Sequence, residues 1–413
     1  MIKRTIYILS AITFFSVVSK ADSIFSRNGW GIYNLNQTGR EAGMGVLGIG
    51  SADTAMVGSL NPAIWAGINV SRFSSGIAIS RFSSQDHTTS DVSDEFTLQY
   101  VSLGISLKPG LTFGLRFFPQ TRMDYRVYNL KTLPSDNSYQ YEEIYLGKGG
   151  ISVATALLAM RLSPKIWIGG GLDVVFCNVL TLWRLNFIEG GSSSGSFTTY
   201  DPLDNEFRLT DKTIGVRPRI GLYGKITENS SVGIFAATDL SMTVTEDFEY
   251  WNSDSTSSVK RKMNFPATAG FGYYFPLAEN LHGEFDFLWT GWSKKNQEIF
   301  NSSRYTQSQF FGFGVEMDPQ KEQYLPVAKR MSYRAGVNYR NLYYQVPAGV
   351  QVPEYSVNFG IGFPLKNKTG SLDINLSLGK RGTLSNNNAE ELFFSLGFYI
   401  NTGEKWFERK RKY

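Results

Sequence analysis

The sequence predicts an all-β fold: a transmembrane antiparallel β-barrel of about fourteen strands, with an N-terminal hatch segment in its lumen. Three observations predict it. Apolar residues alternate with small or polar ones along several segments, short turns alternate with long polar stretches, and a glycine-rich segment of different texture precedes the first strand.

Residues 1–21 read as an export signal, with Lys3 and Arg4 ahead of an apolar stretch and Ser19-Lys20-Ala21 as the cleavage site. That stretch is too short to cross a bilayer as a helix. No later segment offers the roughly 18 uninterrupted apolar residues that a spanning helix needs, so a membrane reading rests on strands. Residues 22–68 are then the hatch, 69–401 the barrel and 402–413 a basic periplasmic tail, with Trp406 and Phe407 in the interfacial girdle.

The strands are read from period two. Leu372, Ile374, Leu376 and Leu378 share one face, while Asp373, Asn375, Ser377 and Gly379 share the other. Leu392, Phe394, Leu396, Phe398 and Ile400 repeat the pattern in the last strand, as do Val357, Phe359, Ile361 and Phe363, and Leu111, Phe113, Leu115 and Phe117. With 22 Tyr, 30 Phe and 8 Trp, the mean hydropathy is still only −0.19. Hydrophobicity is distributed by face, as in a lipid-facing wall around a wet lumen.

Turn chemistry marks the short connections at 108–110, 163–165, 227–230, 276–280, 318–320 and 364–368. Longer polar stretches near 81–94, 128–140, 189–206, 249–260, 293–308, 342–354 and 380–390 alternate with them, which gives an even strand count with turns inside and loops outside. Segments 166–187 and 231–248 exceed the roughly 9–11 residues of a crossing and are expected to rise above the bilayer.

Without Lys3, Arg4 and Lys20 of the leader, the 41 basic residues come close to the 36 acidic ones, so no nucleic-acid partner is implied. Cys177 stands alone and cannot form an internal disulfide. No Gly-x-Ser-x-Gly, phosphate loop or cysteine pair occurs. Of the two histidines, His87 falls in an outer loop and His282 on an inward face beside Glu284 and Asp286, the ordinary content of a polar lumen. Neither catalysis, a metal nor a cofactor is expected.

A barrel of this size leaves a lumen to be filled. Residues 39–50 are glycine-rich without a long dyad, and 51–58 are expected as a short helix capped by Ser51, ending before Asn61-Pro62-Ala63. Such a segment is too small to fold alone, so an inserted plug is the expected arrangement. The run Gly39-Arg40-Glu41-Ala42-Gly43-Met44-Gly45, then Ala52-Asp53 and Asn61-Pro62-Ala63, resembles the N-terminal signature of the long-chain fatty-acid transporter (FadL-type) outer-membrane family. That resemblance implies an outer-membrane barrel, inserted by the barrel-assembly machinery, that passes hydrophobic small molecules such as long-chain fatty acids or aromatic hydrocarbons. It also implies a hatch built on Gly39, Arg40, Gly43, Gly45, Asn61, Pro62 and Ala63, and a kinked third strand that opens sideways into membrane lipid. Here Ile64-Trp65 replaces the Gly-Leu that often follows Asn-Pro-Ala, and the end of the chain is basic.

Pro119 interrupts the third strand between Phe118 and Gln120, and a proline cannot donate to a ladder. These three residues are the candidate lateral opening; the plainer alternative is a bend, since Pro218 and Pro266 lie in other strands. Phase places Arg116, Asp173, Arg217, Arg219, Glu284, Asp286, Arg334 and Asp373 inward, because Arg facing lipid at mid-depth costs about 2–4 kcal/mol. Mutual pairing against the hatch is their expected role. The functional expectation is a passive transporter; the alternative is a PorV-like barrel subunit that holds exported proteins at the cell surface.

Overall fold

The computed structural model describes residues 23–52, 56–133, 136–188, 205–250, 256–292, 304–320, 324–347, 349–365 and 370–406. The expected leader, the middle of the expected 51–58 helix and residues 407–413 of the tail lie outside them.

A closed wall of 14 antiparallel strands surrounds the N-terminal segment. The wall runs β1 (Ser71–Asp86), β2 (Ser90–Lys108), β3 in two pieces (Leu111–Pro119 and Thr121–Leu133), β4 (Asp136–Arg161), β5 (Ile166–Ile188) and β6 (Asn205–Lys225). It continues with β7 (Ser231–Ala237 and Leu240–Tyr250), β8 (Thr256–Phe265 and Ala267–Ala278), β9 (Leu281–Gly291) and β10 (Arg304–Tyr305 and Ser308–Met317). It ends with β11 (Ser332–Gln345), β12 (Gln351–Pro364), β13 (Ser371–Thr383) and β14 (Ala389–Glu404). β14 closes on β1, with Glu404 opposite Ser71 and Ala389 opposite Asp86. This pairing closes the sheet on itself, as hydrocarbon surroundings demand.

The dyad sorts the two faces as its chemistry requires. Leu115, Val357, Phe359, Phe394 and Ile400 are 42–46% exposed on the outer surface, while the interleaved Asn358, Asp373 and Asn375 are at most 3% exposed inside.

Three expectations are corrected. First, 81–94 and 128–140 are paired hairpin rather than loop: β1 continues to Asp86, β2 starts at Ser90, and Leu133 opposes Asp136. Polarity there marks strand standing in water above the bilayer, not loss of the ladder. Likewise β13 continues to Thr383 before a one-turn helix, Leu384–Asn387, and β14 runs to Glu404, past the expected boundary at 401. Second, 231–248 is not one strand, because it breaks between Ala237 and Leu240. Third, the hatch helix is α1 (Gly39–Met44), and the described parts of 51–58 are not helical. Thr38 and Glu41 form a capping box around α1, and Gly45 ends it at φ +65°, a left-handed cap that suits glycine. Ser51 is instead a hydrogen-bond partner of Arg40.

Candidate functional site

The N-terminal segment enters at the long-loop end and descends the lumen. Ser23 receives the Arg381 guanidinium at 2.8 Å and donates to Glu391 at 2.8 Å. Arg340 and Arg381 clasp Glu354, each through Nε at 2.6 Å, and Arg340 also donates to the Tyr33 carbonyl. Beside this network Phe25 and Trp30 join an apolar cluster lined by Phe118, Cys177, Met242, Phe265, Trp292 and Tyr343.

At mid-lumen α1 presents Arg40. Its Nε donates to Glu316 at 2.6 Å, and its Nη1 to Glu284 at 2.9 Å and Ser51 at 2.7 Å. Arg334 extends the chain of charge by donating to Glu316 at 2.7 Å and to Asp373. Asp286 accepts the Leu47 and Gly48 amides at 2.7 and 2.8 Å, taking up donors that the turn after α1 leaves open. Arg217 and Arg219 share Asp173, at 3.1 and 2.8 Å, and Arg116 donates to the Asn36 carbonyl. Glu41, inside the hatch, accepts the Thr38 amide at 2.7 Å, and burial pushes its carboxyl up to about 7. Every inward charge read from the sequence is therefore buried: Asp173, Arg217, Arg219, Glu284, Arg334 and Asp373 form ion pairs, while Arg116 and Asp286 bond hatch backbone instead.

Glycine makes the fit possible. A Cβ on Gly336 would lie 1.8 Å from the Met44 carbonyl oxygen, and one on Gly233 would lie 1.8 Å from that of Ile49, so the hatch backbone rests on the bare wall. Gly39 and Gly43 give the reciprocal clearance against Asp373 and Gly360.

Asn61, fully buried, caps the 3-10 turn Pro62–Gly67 that carries Ala63. It accepts from the Ala63 amide at 3.1 Å and donates to the Ile49 and Leu222 carbonyls, each at 3.1 Å. This turn buries Ile64 and Trp65 against Trp167 and Tyr223, which accounts for the Ile-Trp that follows Asn-Pro-Ala here. Asn61→Ala strands three buried partners and is expected to cost about 1–3 kcal/mol, read as a lower thermal unfolding midpoint in detergent.

The third strand does break, at Gln120. Pro119 still opposes Ser152 on β4, but the ladder to β2 stops where Phe117 meets Val101. Beyond it, among the described residues, β3 pairs with β4 and with the hatch residues Ile32 and Tyr33, and not with β2. Gln120 donates its amide to Ile151 at 2.7 Å and accepts from Asn34 at 2.8 Å. Arg122 spans the gap, reaching the Phe96 carbonyl at 2.8 Å, Thr97 at 3.0 Å and Glu95 at 2.7 Å. Phe118 turns inward, with Arg116 stacked 4.7 Å above its ring. A cavity of about 180 Å³ lies behind the gap, bordered by Tyr33, Pro119, Arg122 and Phe393 and walled on its other side by the Arg340, Glu354 and Arg381 network. His282, by contrast, pairs with Asp318 at 2.9 Å at the short-turn end, away from Glu284.

Sequence reasoning did not single out Glu316, Arg340, Glu354, Arg381 or Glu391. Their signal was available, because Glu354 and Arg381 share the inward phase of Asn358 and Asn375. The bridge by Arg122 had no such signal, since it depends on where two strands part.

This architecture is similar to that of solved channels. The CymD monoaromatic hydrocarbon channel aligns over 91% of this chain and 100% of its own at 15% identity and a TM-score of 0.55. The Ralstonia pickettii toluene transporter TbuX aligns over 90% and 100% at 15% identity and 0.56, and a Pseudomonas aeruginosa FadL homologue over 89% and 98% at 11% and 0.60. At such identities the likeness is one of fold. No curated protein sequence matches. The family model described as BamG spans residues 1–413, and with a FadL-type wall and filled lumen beneath that match, the chain belongs to the BamG family.

Proposed function

We propose that the protein is a passive outer-membrane conduit for hydrophobic small molecules, which are taken up between the outer hairpins and released sideways through the break in β3. The observation that carries this reading is the end of the β2–β3 ladder at Val101 and Phe117, with a cavity and an aromatic cluster directly behind it. A route into lipid avoids the charged lumen below. It needs no chemistry, because partition supplies about 0.8 kcal/mol per buried CH₂. The cavity, at about 180 Å³, is smaller than the ~300 Å³ lower bound for drug-sized ligands, so a single aromatic ring fits as the site stands. A long-chain fatty acid requires the hatch to shift.

The test joins Thr97→Cys to Arg122→Cys with a reducible cross-linker in a Cys177→Ala background. Uptake of labelled toluene into cells should fall at least tenfold on cross-linking and return on reduction. Unchanged uptake rejects the lateral route.

A second reading is favoured by the family's name, which points to the barrel-assembly machinery, and by a hatch clamped through buried ion pairs. In it the barrel serves, like a PorV-type subunit, as a protein-binding companion. Absence of hydrocarbon uptake in the wild type, together with stable co-purification with assembly components, would select this reading.

A further inference from the structure

We propose that the wall contains a second lateral opening, between β6 and β7, through which a single-ring apolar molecule exchanges between the bilayer and the luminal aromatic cluster. The proposal rests on the transport reading and extends it. The β6–β7 ladder is complete from Lys225 opposite Ser231 to Arg219 opposite Ala237, and again from Lys212 opposite Thr245 outward. Among the described residues, 213–218 of β6 have no ladder partner on β7. The cause is written in the sequence. Pro218 and Pro266 each lack a donor, and β7 and β8 are both interrupted here, at Thr238-Asp239 and at Pro266, while β6 stays paired to β5 throughout. Pro218 lies seven residues from Lys225, roughly 16 Å of height at ~3.3 Å per residue and about 45° of tilt, which is within the hydrocarbon.

Two features make this a closed port rather than a flaw. Arg217, 1% exposed, takes up two carbonyls at the break, donating to that of Pro266 at 2.6 Å and that of Thr238 at 3.2 Å while its Nε holds Asp173 at 3.1 Å. Opening breaks no ladder, only isolated hydrogen bonds, among them the one from Arg217 to the Thr238 carbonyl. The rest of the gap is closed by two local bonds, the Thr238 amide to the Pro218 carbonyl at 3.4 Å and the Thr213 hydroxyl to the Thr243 carbonyl at 2.9 Å, and by side chains: a Cβ on Gly215 would lie 2.8 Å from Leu240 Cδ2 and 2.8 Å from Met242 Cγ, so these two chains lie over the bare glycine. Methionine, with three rotatable bonds, swings aside at little cost. On the lipid side Ile214 and Val216 flank the gap, 71% and 53% exposed. On the inner side Met242, Met263, Phe265 and Trp292 belong to the same cluster as Phe118, so one apolar body reaches both breaks.

The test is a disulfide between Gly215→Cys and Met242→Cys in a Cys177→Ala background, with Met263 and Phe265 read for labelling by phenyl-diazirine, a single-ring photoprobe, in liposomes. Labelling of Met263 and Phe265 is expected in the reduced form and a fall of at least fivefold in the oxidised form, with labelling of Ile214 unchanged. The cross-link at β3 alone should leave measurable toluene uptake that this disulfide then removes. No labelling of Met263 and Phe265, or labelling indifferent to the disulfide, overturns the second opening whatever the uptake result. Labelling that obeys the disulfide without any uptake in the wild type keeps the opening and rejects the transport reading.

Discussion

Arg40→Met is expected to release the hatch. Its guanidinium is the shared partner of Glu284 and Glu316, all three nearly inaccessible, and without it Glu284 keeps no cationic partner among the described residues. Removing one partner of a buried pair typically costs about 3–5 kcal/mol, because the remaining charge stays desolvated and unpaired. The wall does not need Arg40, since its ladders close without the hatch. The loss should therefore fall on the plug: planar bilayers should show ion-conducting steps where the wild type has none, and the N-terminal segment should become open to protease. Arg40→Lys should recover part of the closure, as one ammonium cannot serve both carboxylates in the forked geometry. A variant as tight as the wild type would mean that the ion pairs do not hold the segment. Deleting residues 39–61 sets the upper limit of conductance for comparison.

Gly336→Val should produce the same opening without altering any charge. The new Cβ would stand 1.8 Å from the Met44 carbonyl oxygen and 2.6 Å from its carbon, and both are backbone atoms that no rotamer change can move. Overpacking usually costs about 1–3 kcal/mol, and here relief comes from displacing α1. Gly170→Val is the matched control, because a Cβ there meets only the Arg219 carbonyl at 3.7 Å. The expected pair of results is raised conductance for the first and wild-type behaviour for the second. Both should keep the mobility of a folded barrel on unheated gels.

Part of this arrangement was open to reading beforehand. Arg116, Asp173, Arg217, Arg219, Glu284, Asp286, Arg334 and Asp373 are inward by phase alone, since a one-residue slip would turn each of them to lipid. The capping box of Thr38 and Glu41 starts a helix that the sequence reading passed over in favour of Ser51, and only the lumen reveals that Ser51 serves Arg40. The outer hairpins were mistaken for loops because composition reports contact with water, whereas pairing depends on a partner strand of equal length.

What the sequence by itself determined is the local and periodic part: strands from period two, the face each side chain takes, and turns from proline, glycine and asparagine, all set within a few residues of chain. Pro119, Pro218 and Pro266 likewise announce that a donor is missing. Only the tertiary structure decided what each missing donor does. At Gln120 the strand parts from β2 and the gap is spanned by Arg122, whereas beside Pro218 the neighbouring β7 and β8 are interrupted together and Arg217 takes up the Thr238 and Pro266 carbonyls. The physical reason is that a ladder belongs to two strands at once, so whether it stops, bends or is bridged depends on residues far apart in sequence that meet only when the wall closes.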